Sequence, residues 1–509
     1  MSSAWKGRVG LEVHVRLASR SKLLCACPNR FEVEPNIHIC PVCTGQPGSL
    51  PALGRGSVEL ALRAAVLLDF DVAQLSRFDR KHYFYPDSPK GYQVTQQNVP
   101  LGKNGVLEVE VAGKRLEVPL SRIHIEEDAG RSVHSDEHTR IDFNRAGVPL
   151  VEIVTEPVLE TADEVGAFLR RLREELRFAG ISDGDMEKGS MRTDVNVSVH
   201  RDACESSGSE SQDGARVEIK NLNSIRAAQE SVDFEIARQT EKFEQTESAS
   251  AKIAGDGMQT RRWVAATDGA PAHTVLMRTK EVALDYRFLE DPDLLPLALN
   301  ATDIESARAS LGEGPMARRD RWRCEYDLSA YDADVLSRSP QIAAYFEATI
   351  AALKAACVTD PGTDPHTSKA AANWIANDLA AIEGGFAFVP PGRMAELVLL
   401  VEAEFVSHKS GRTLLAALVD ATKLGKAPTS KLREVAAALN LQLLHDPEQL
   451  DNFCAAAIEA RPDATQAWRK GRLQAVDALL GEAMMRSRGK AAPAKLRTRL
   501  LAMLEARPA

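Results

Sequence analysis

Long hydrophobic runs are missing from this sequence. No stretch approaches the roughly 18 consecutive apolar residues that a membrane-spanning helix needs. The N-terminal run MSSAWKGRVGLEVHV holds no apolar signal core. We therefore expect a protein with no membrane partner that resides in the cytoplasm. The mitochondrial or plastid matrix is the alternative if a transit peptide has been removed.

Two common phosphate-binding loops are also missing. The sequence contains no G-x-x-x-x-G-K-[ST] loop and no complete G-x-G-x-x-G loop. Any nucleotide would therefore have to bind without either of them. Cysteine is sparse, with 8 in 509 residues, and an intracellular chain is expected to keep its thiols reduced.

Basic charge is in deficit overall but is concentrated at one end. The chain has 63 Lys and Arg against 72 Asp and Glu, a formal charge of −9, which argues against a nucleic-acid partner. Residues 461–509, however, hold 11 basic and 4 acidic residues, and the basic ones include Arg469, Lys470 and Arg472. This segment predicts contacts with nucleic-acid phosphates, and a solvated helical surface is the alternative.

The apolar pattern changes near residue 295. Before it, short alternating runs between Gly, Pro and Asn predict strands and turns, and after it apolar residues recur every three or four positions, as in helices. Helices are predicted over Val58–Leu68, Ala162–Ala179, Ser224–Phe243, Ile342–Leu353, Lys369–Ile382, Met394–Val406, Arg412–Thr422, Pro447–Glu459 and Thr465–Met485. The acidic run Glu205–Gly214 predicts a solvated loop between two strands. The fold class is therefore α+β, with a sheet domain followed by an all-helical region.

Charged and apolar residues alternate along four of the predicted strands. Because successive strand side chains point to opposite faces, Val9, Leu11, Val13, Val15 and Leu17 share one face and Glu12, His14 and Arg16 share the other. The same alternation assigns three further sets to polar faces: Arg122, His124 and Glu126; Arg192, Asp194, Asn196 and Ser198; and Arg216, Glu218 and Lys220. Glu127 directly follows Glu126 and ends that strand.

These polar faces have two interpretations. A half-exposed sheet with a solvated face is the ordinary one for any single strand. Asp and Glu are disfavoured in strands, however, and carboxylates with a histidine are ligands that suit Mg²⁺ or Mn²⁺. Flanking Lys and Arg suit phosphate oxygens. The set of strands therefore predicts a metal–nucleotide site, and the aromatic and basic run Phe78–Asp87 predicts a phosphate- or base-contacting loop.

Four of the cysteines are clustered. Cys25 and Cys27 form a C-x-C pair, and after twelve intervening residues Cys40 and Cys43 form a C-x-x-C pair. Two thiol pairs on tight turns predict a tetrahedral, structural Zn²⁺ site. Two unrelated cysteine turns are the alternative.

A family resemblance is carried by long motifs. In chain order they are GLEVHVRL, CPVCTGQPGSLP, FDRKHYFYPDSPKGYQVTQ, RIHIEEDAGR, DFNRAGVPLVEIVTEP, GSMRTDVNVSV, EIKNLNS, DYRFLEDPDLLPL, ANWIANDL and GEAMMRSRGKAAP. Together they resemble the GatB family, the B subunits of tRNA-dependent aspartyl/glutamyl amidotransferases, over nearly the whole chain. The motifs are longest before residue 295.

The resemblance implies a domain organisation and a set of site residues. It implies a mixed, largely antiparallel cradle domain with a zinc-binding insertion at 1–295, a helical domain at 296–405, and a YqeY-like, tRNA-binding helical tail at 406–509. The implied catalytic residues are Glu12, His14, Glu127, Asp194 and Glu218; the implied Mg²⁺ ligands are Glu12, His14, Glu126 and Glu127; and the implied ATP contacts are Lys81, Lys90, Arg192 and Lys220.

The resemblance also implies an activity. With ATP and Mg²⁺, the family phosphorylates the side-chain carboxylate of misacylated Glu-tRNA(Gln) or Asp-tRNA(Asn), and ammonia then displaces the phosphate. The implied partners are an amidase-type glutaminase, which is the A subunit of the complex, a small C subunit, and the 3′ acceptor end and elbow of the tRNA. This chain has no GGSSGG amidase signature of its own. The alternatives are a non-catalytic zinc-bearing tRNA-binding scaffold and a zinc hydrolase that uses Glu12 and His14.

Overall fold

The computed structural model of the chain describes residues 5–31, 34–201, 212–248, 258–267, 269–279, 286–357, 366–425 and 430–506. The chain forms two compact units, Met1–Pro315 and Met316–Ala509. Within the described ranges, no helix is long and apolar enough to cross a bilayer. The predicted loop at Glu205–Gly214 lies outside the described residues up to position 211. The domain boundaries at 295 and 405 stay predictions.

The described residues of the first unit form strands and four helices. Its strands are β1 (Lys6–Arg16), β2 (Asp71–Val72), β3 (Leu75–Ser76), β4 (Asp79–His82), β5 (Tyr92–Thr95), β6 (Gly102–Val111), β7 (Lys114–Glu127), β8 (Arg131–His134), β9 (Thr139–Asp142), β10 (Pro149–Thr155), β11 (Met191–Arg201), β12 (Gln212–Asp213), β13 (Val217–Leu222), β14 (Gln259–Val264), β15 (His273–Thr279), β16 (Leu289–Glu290) and β17 (Leu297–Ala298). Its helices are α1 (Arg55–Leu67), α2 (Ala162–Phe178), α3 (Ile225–Ser248) and α4 (Ala301–Ser310).

One ten-stranded sheet dominates this unit. Its order is β15-β14-β13-β11-β1-β10-β7-β6-β2, with β12 paired to β11. Neighbouring strands are antiparallel except for the parallel pair of β13 and β14. Small sheets of β16-β4-β5, β17-β3 and β8-β9 surround it. The predicted mixed, largely antiparallel sheet domain followed by a helical region is confirmed.

The apolar face of the sheet carries the core. Val9, Leu11, Val13 and Val15 of β1 are essentially fully buried, and residues of α2 and α3 belong to the same hydrophobic cluster. Gly7 permits the close approach of α3, because a Cβ atom there would lie 2.5 Å from Cδ1 of Ile236. The other face of the sheet is therefore left for polar groups.

Helix α2 shows how the sequence specifies its own packing. Its buried residues Val165, Phe168, Leu169, Leu172 and Leu176 follow helical spacing. Each such side chain contributes about 1.5–3 kcal/mol when fully buried. At its N-terminus Thr161 and Glu164 form a capping box, in which the Glu164 N–H donates to Thr161 Oγ1 at 3.3 Å.

The described residues of the second unit form helices joined by turns and short loops, with two isolated β-bridges. Its helices are α5 (Pro315–Tyr326), α6 (Ala330–Leu336), α7 (Pro340–Cys357), α8 (His366–Asn373), α9 (Gly385–Phe388), α10 (Pro391–Glu402), α11 (His408–Lys423), α12 (Leu432–Ala438), α13 (Pro447–Ala460), α14 (Pro462–Arg469), α15 (Val476–Arg486) and α16 (Pro493–Ala506). A π-helical turn, Trp374–Leu379, continues α8, and a 3₁₀ turn, Leu473–Ala475, precedes α15.

One predicted helix is wrong as a single element. The pattern over Thr465–Met485 divides into α14 and α15, because Gly471 adopts a φ of +87° and the helical hydrogen bonds stop there. Helices α4, α5, α6, α9, α12 and α16 were not predicted. The last of them matters for the tail, since Leu496 and Leu500 of α16 pack with Leu450 and Cys454 of α13 in one core.

The capping box predicts a local stability effect. Thr161→Ala should remove one cap and cost about 1 kcal/mol, whereas Thr161→Ser keeps the hydroxyl. The measurement is hydrogen exchange of the amides in the first turn of α2, where the alanine variant should lose protection and the serine variant should not. Equal protection in the two variants would contradict this role for Thr161.

Candidate active site

The polar face of the large sheet is assembled by strand register. His124 of β7 lies opposite Glu152 of β10, Glu152 lies opposite His14 of β1, and His14 lies opposite Arg192 of β11. Directly opposed residues point to the same face. These four side chains therefore form one row across four adjacent strands.

Three residues form what we call the first acidic group: His14, Glu126 and Glu152. Their nearest ligand atoms all lie within 4.8 Å of one another. His14 Nε2 is 3.1 Å from Glu152 Oε2 and 3.9 Å from Glu126 Oε2. Glu126 and Glu152 are buried, and Glu126 Oε2 has no hydrogen-bond partner. A buried carboxylate oxygen without a partner is costly, so this group has the chemistry of a cation site.

Proton affinities in the first acidic group are strongly perturbed. Burial alone would lower the pKa of His14, but Glu152 and Glu126 raise it to about 9. Burial raises the pKa of Glu126 to about 7. Burial also lowers the pKa of His124 to about 4, so this ring is neutral at pH 7 and His14 is the cationic partner of Glu152.

Glu12, Asp194 and Glu218 form the second acidic group, again with ligand atoms within 4.8 Å. Lys220 Nζ lies between two of its members, 3.0 Å from Asp194 Oδ2 and 2.7 Å from Glu218 Oε1. Asn196 Nδ2 donates to Glu12 Oε1 at 3.0 Å. Burial is the main cause that raises the pKa of Glu12. This group differs from the first because its ammonium, Lys220 Nζ, lies within 3.0 Å of two of its three carboxylates.

Asp194 owes its orientation to a strand irregularity. The pairing of β11 with β13 shifts register between Thr193 and Val195. Asp194 Oδ1 accepts the backbone N–H of Asn221 at 2.7 Å, and Asn221 has a φ of +58°. Bulges of this kind re-aim side chains and are common beside active sites.

Two further predicted cations border the polar face. Lys81 Nζ lies 3.7 Å from Glu126 Oε1, and this carboxylate raises the pKa of Lys81. Arg192 is 3.0 Å from Asp128 Oδ2, whose charge raises the pKa of Arg192. The structure thus places Lys81 beside the first acidic group and Lys220 in contact with the second, whereas Arg192 pairs with Asp128, which belongs to neither group.

Glu127 and Lys90 are placed elsewhere. Glu127 follows Glu126 in the same strand, so the two side chains point to opposite sides. Glu127 forms an ion pair with Lys90 and accepts the Val94 N–H at 2.9 Å. The structure therefore does not bring Glu127 into either acidic group, and it gives Lys90 a carboxylate partner away from them.

Glu152 is the site residue that the residue-by-residue prediction missed. It lies inside the apolar run Leu150–Val154 of β10, which reads as a buried strand. The available signal was a lone carboxylate within that run. It became informative only when β10 was placed between β1 and β7.

The four clustered cysteines come together as predicted. Their Sγ atoms lie within 4.8 Å of one another at Cys25, Cys27, Cys40 and Cys43. Hydrogen bonding from Cys25 is the main cause that lowers the pKa of Cys43 to about 4. The arrangement offers four sulfur ligands, with at least one favouring the thiolate form.

One sequence feature of metallohydrolases is present but is not arranged as a metal site. His134 and His138 have H-x-x-E-H spacing, which binds zinc when both histidines lie on one helical face. Here His134 ends β8 and His138 lies in the following turn, and both are exposed. His134 Nδ1 instead lies 2.9 Å from Thr139 Oγ1.

Comparison with known proteins identifies the family. The profile of the GatB/GatE catalytic domain matches residues 7–305, and that of the GatB domain matches residues 360–504. The chain is 38% identical to the B subunit of the aspartyl/glutamyl-tRNA(Asn/Gln) amidotransferase of Elusimicrobium minutum, over 96% of this chain and 97% of that protein. It is 36% identical to the protein of the same name from Brevibacillus brevis over 96% and 97%, and 38% identical to that from a Synechococcus strain over 98% and 97%.

These matches cover the sheet that carries both acidic groups and most of the helical unit. The chain therefore belongs to the GatB/GatE family.

Proposed function

We propose that this protein is the B subunit of a tRNA-dependent amidotransferase, a glutamine-hydrolysing carbon–nitrogen ligase. It converts Glu-tRNA(Gln) to Gln-tRNA(Gln), or Asp-tRNA(Asn) to Asn-tRNA(Asn), for translation. The three relatives are named as B subunits of an aspartyl/glutamyl-tRNA(Asn/Gln) amidotransferase. The observation that supports it most is one sheet face with two buried acidic groups and three basic side chains beside them.

The chemistry requires such a face. A carboxylate is a poor acyl donor, and transfer of the ATP γ-phosphoryl group to one of its oxygens gives it a good leaving group. Ammonia then attacks the acyl carbon, phosphate departs, and a proton is lost from the nitrogen. Phosphoryl transfer asks the protein mainly to position the reactants and to neutralise charge.

The first acidic group fits Mg²⁺ best. Its two carboxylates are ligands that suit Mg²⁺, the imidazole of His14 can join them once it is neutral, and Glu126 Oε2 is buried without a hydrogen-bond partner. Bound Mg²⁺ would neutralise charge on phosphate oxygens and on the reacting carboxylate. In the second group, Asp194 and Glu218 already hold Lys220. We therefore assign that group to orienting Lys220, and it would receive a cation only if Lys220 moved.

The basic residues divide into two roles. Lys81 and Lys220 project their ammonium groups at the acidic groups, where they would offset the negative charge of ATP phosphates. Arg192 is held by Asp128 on the neighbouring edge of the same face, 3.0 Å away. We propose all three as phosphate contacts. The Lys90–Glu127 pair instead fixes the loop before β5 to the end of β7.

The cysteine cluster supports a structural zinc centre. Four sulfur ligands at this separation match a tetrahedral site with no ligand position left for substrate. The zinc would fix the loop that follows β1. It would take no part in phosphoryl transfer.

The proposed assembly includes two other proteins. Because this chain has no amidase signature, a glutaminase of the amidase type, the A subunit, would supply ammonia, and the small C subunit would complete the complex. The tRNA would contact the first unit with its 3′ end and the basic tail with its elbow.

The main test is the charge of Glu152. Glu152→Gln keeps the side-chain volume but removes one proposed Mg²⁺ ligand. With the A and C subunits, ATP, glutamine and misacylated tRNA, formation of Gln-tRNA(Gln) or Asn-tRNA(Asn) should fall by about 100-fold or more. Glu160→Gln, an exposed residue of the same unit, is the matched control. Normal turnover by Glu152→Gln would refute the proposed site.

Metal binding should be linked to one proton of His14. In the metal-free protein the pKa of His14 is about 9, and a metal ligand must be neutral, so binding releases a proton. Between about pH 7.5 and 8.5, where Glu126 with its pKa of about 7 is mostly ionised, Mn²⁺ affinity should therefore increase by about tenfold per pH unit, measured by paramagnetic resonance. His14→Gln should flatten this dependence.

His124→Gln is the control for that titration. His124 faces the same Glu152, but its pKa of about 4 leaves it neutral throughout the range. This variant should keep the steep pH dependence. The same slope in His14→Gln and in the unchanged protein would show that His14 does not bind the metal.

The basic tail should contribute salt-dependent tRNA affinity. Deletion of residues 461–509 would remove α16 from the core that it shares with α13, so substitution is the sharper test. The triple variant Arg469→Gln, Lys470→Gln, Arg472→Gln changes exposed positions only. It should weaken tRNA binding and reduce the slope of log K against log salt by roughly 0.7–0.9 for each phosphate that the tail no longer neutralises.

The control is a second triple variant that loses the same number of positive charges in another part of the chain. Lys103→Gln, Lys114→Gln, Arg115→Gln alters exposed positions of β6 and β7 in the first unit. If the salt dependence of tRNA binding changes equally in the two triple variants, the tail has no specific role in tRNA binding and is an ordinary solvated surface.

A further inference from the structure

Lys22 is a fully buried lysine without a carboxylate partner. Its side chain has 0% exposure, and no carboxylate of the described residues lies within 4.0 Å of its Nζ atom. Buried ammonium groups are nearly always paired with an anion, because their desolvation is costly. The burial of Lys22 therefore needs a source of negative charge.

The neighbours of Nζ point to that source. Nζ donates to the backbone carbonyl of Phe143 at 3.2 Å and to Cys43 Sγ at 3.5 Å. The Cys40 N–H also donates to Cys43 Sγ, at 3.2 Å. Two donors thus converge on one sulfur of the four-cysteine cluster, which is the environment of a thiolate rather than of a neutral thiol.

The surroundings also confine Lys22. A Cβ atom on Gly147 would lie 3.6 Å from Cδ of Lys22 and 3.4 Å from Cβ of Cys43. The backbone of Lys22 is held as well, since its N–H donates to the Cys27 carbonyl at 2.9 Å. The ammonium is therefore enclosed beside the sulfur cluster.

We propose that Lys22 is a positioning residue that balances the charge of a zinc–thiolate centre. Zn²⁺ with four thiolates has a net charge of −2, and the ammonium of Lys22 reduces the charge of the buried assembly to −1. The proposal rests on the zinc centre proposed above. A set of four neutral thiols would leave the buried ammonium with no anion of the described residues within 4.0 Å, and the Glu127 carboxylate near Gly147 is paired with Lys90.

The experiment measures zinc affinity on the full chain. Lys22→Met keeps the length of the side chain and removes its charge. Zinc affinity, measured by competition with a chromogenic chelator, should fall by about 10–100-fold, the usual effect of losing a group that orients a metal ligand. Lys103→Met, at an exposed position, should bind zinc as the unchanged protein does.

A second experiment repeats the Lys22 substitution in a chain that lacks two of the zinc ligands. It distinguishes a charge-balancing role of Lys22 from a packing role. In a Cys25→Ser, Cys27→Ser chain the zinc–thiolate charge is absent, so Lys22→Met should leave the unfolding temperature unchanged or raise it. With the four cysteines intact, the same change should lower that temperature. If Lys22→Met lowers the unfolding temperature equally with and without the two cysteine substitutions, Lys22 acts through packing and the proposal is overturned.

The zinc measurements also distinguish failure of the role proposed for Lys22 from failure of the zinc centre itself. If the unchanged protein binds zinc and Lys22→Met binds it equally well, the role of Lys22 is overturned while the zinc centre stands. If metal analysis of the unchanged protein finds no zinc at the four cysteines, the zinc centre and the role of Lys22 are both overturned. Neither result would affect the proposed Mg²⁺ site on the sheet.

Discussion

The antiparallel pairing of β7, β10, β1 and β11 is the constraint on which the site depends. It sets His124, Glu152, His14 and Arg192 in one row, with alternate residues in the core beneath α2 and α3. A shift of one residue in any of these strands would exchange its core face with its polar face. The valines of β1 therefore stabilise the fold and fix the position of His14 at the same time.

Charge balance is the second constraint, and it operates in three places. Buried carboxylates stay buried because His14 and Lys81 accompany the first acidic group and Lys220 accompanies the second. Lys22 shows the opposite case, a buried cation beside sulfur. Breaking such a pair leaves one charge uncompensated, which costs more than the pair itself contributes. Each of these sites thus links stability to the chemistry that it supports.

The overall charge of −9 is therefore a poor guide to partners. Part of the acidic excess is internal, in Glu126, Glu152, Asp194 and Glu218, and basic side chains such as Lys81 and Lys220 pair with part of it. The basic residues near α14 are exposed. An acidic protein can in this way carry a surface that suits tRNA phosphates.

The sequence by itself determined the fold class, the polar face and the cysteine cluster, because strand alternation and the C-x-C and C-x-x-C spacings are local properties of the chain. It also supported the family through long motifs. Local pattern was insufficient elsewhere: Gly471 divides a pattern that reads as one helix, and Glu152 is concealed in an apolar run. Only the tertiary structure placed Glu152 beside His14, and only it paired Glu127 with Lys90. The physical reason is that strand order and the side of the sheet on which a residue lies are set by contacts between segments far apart in the chain.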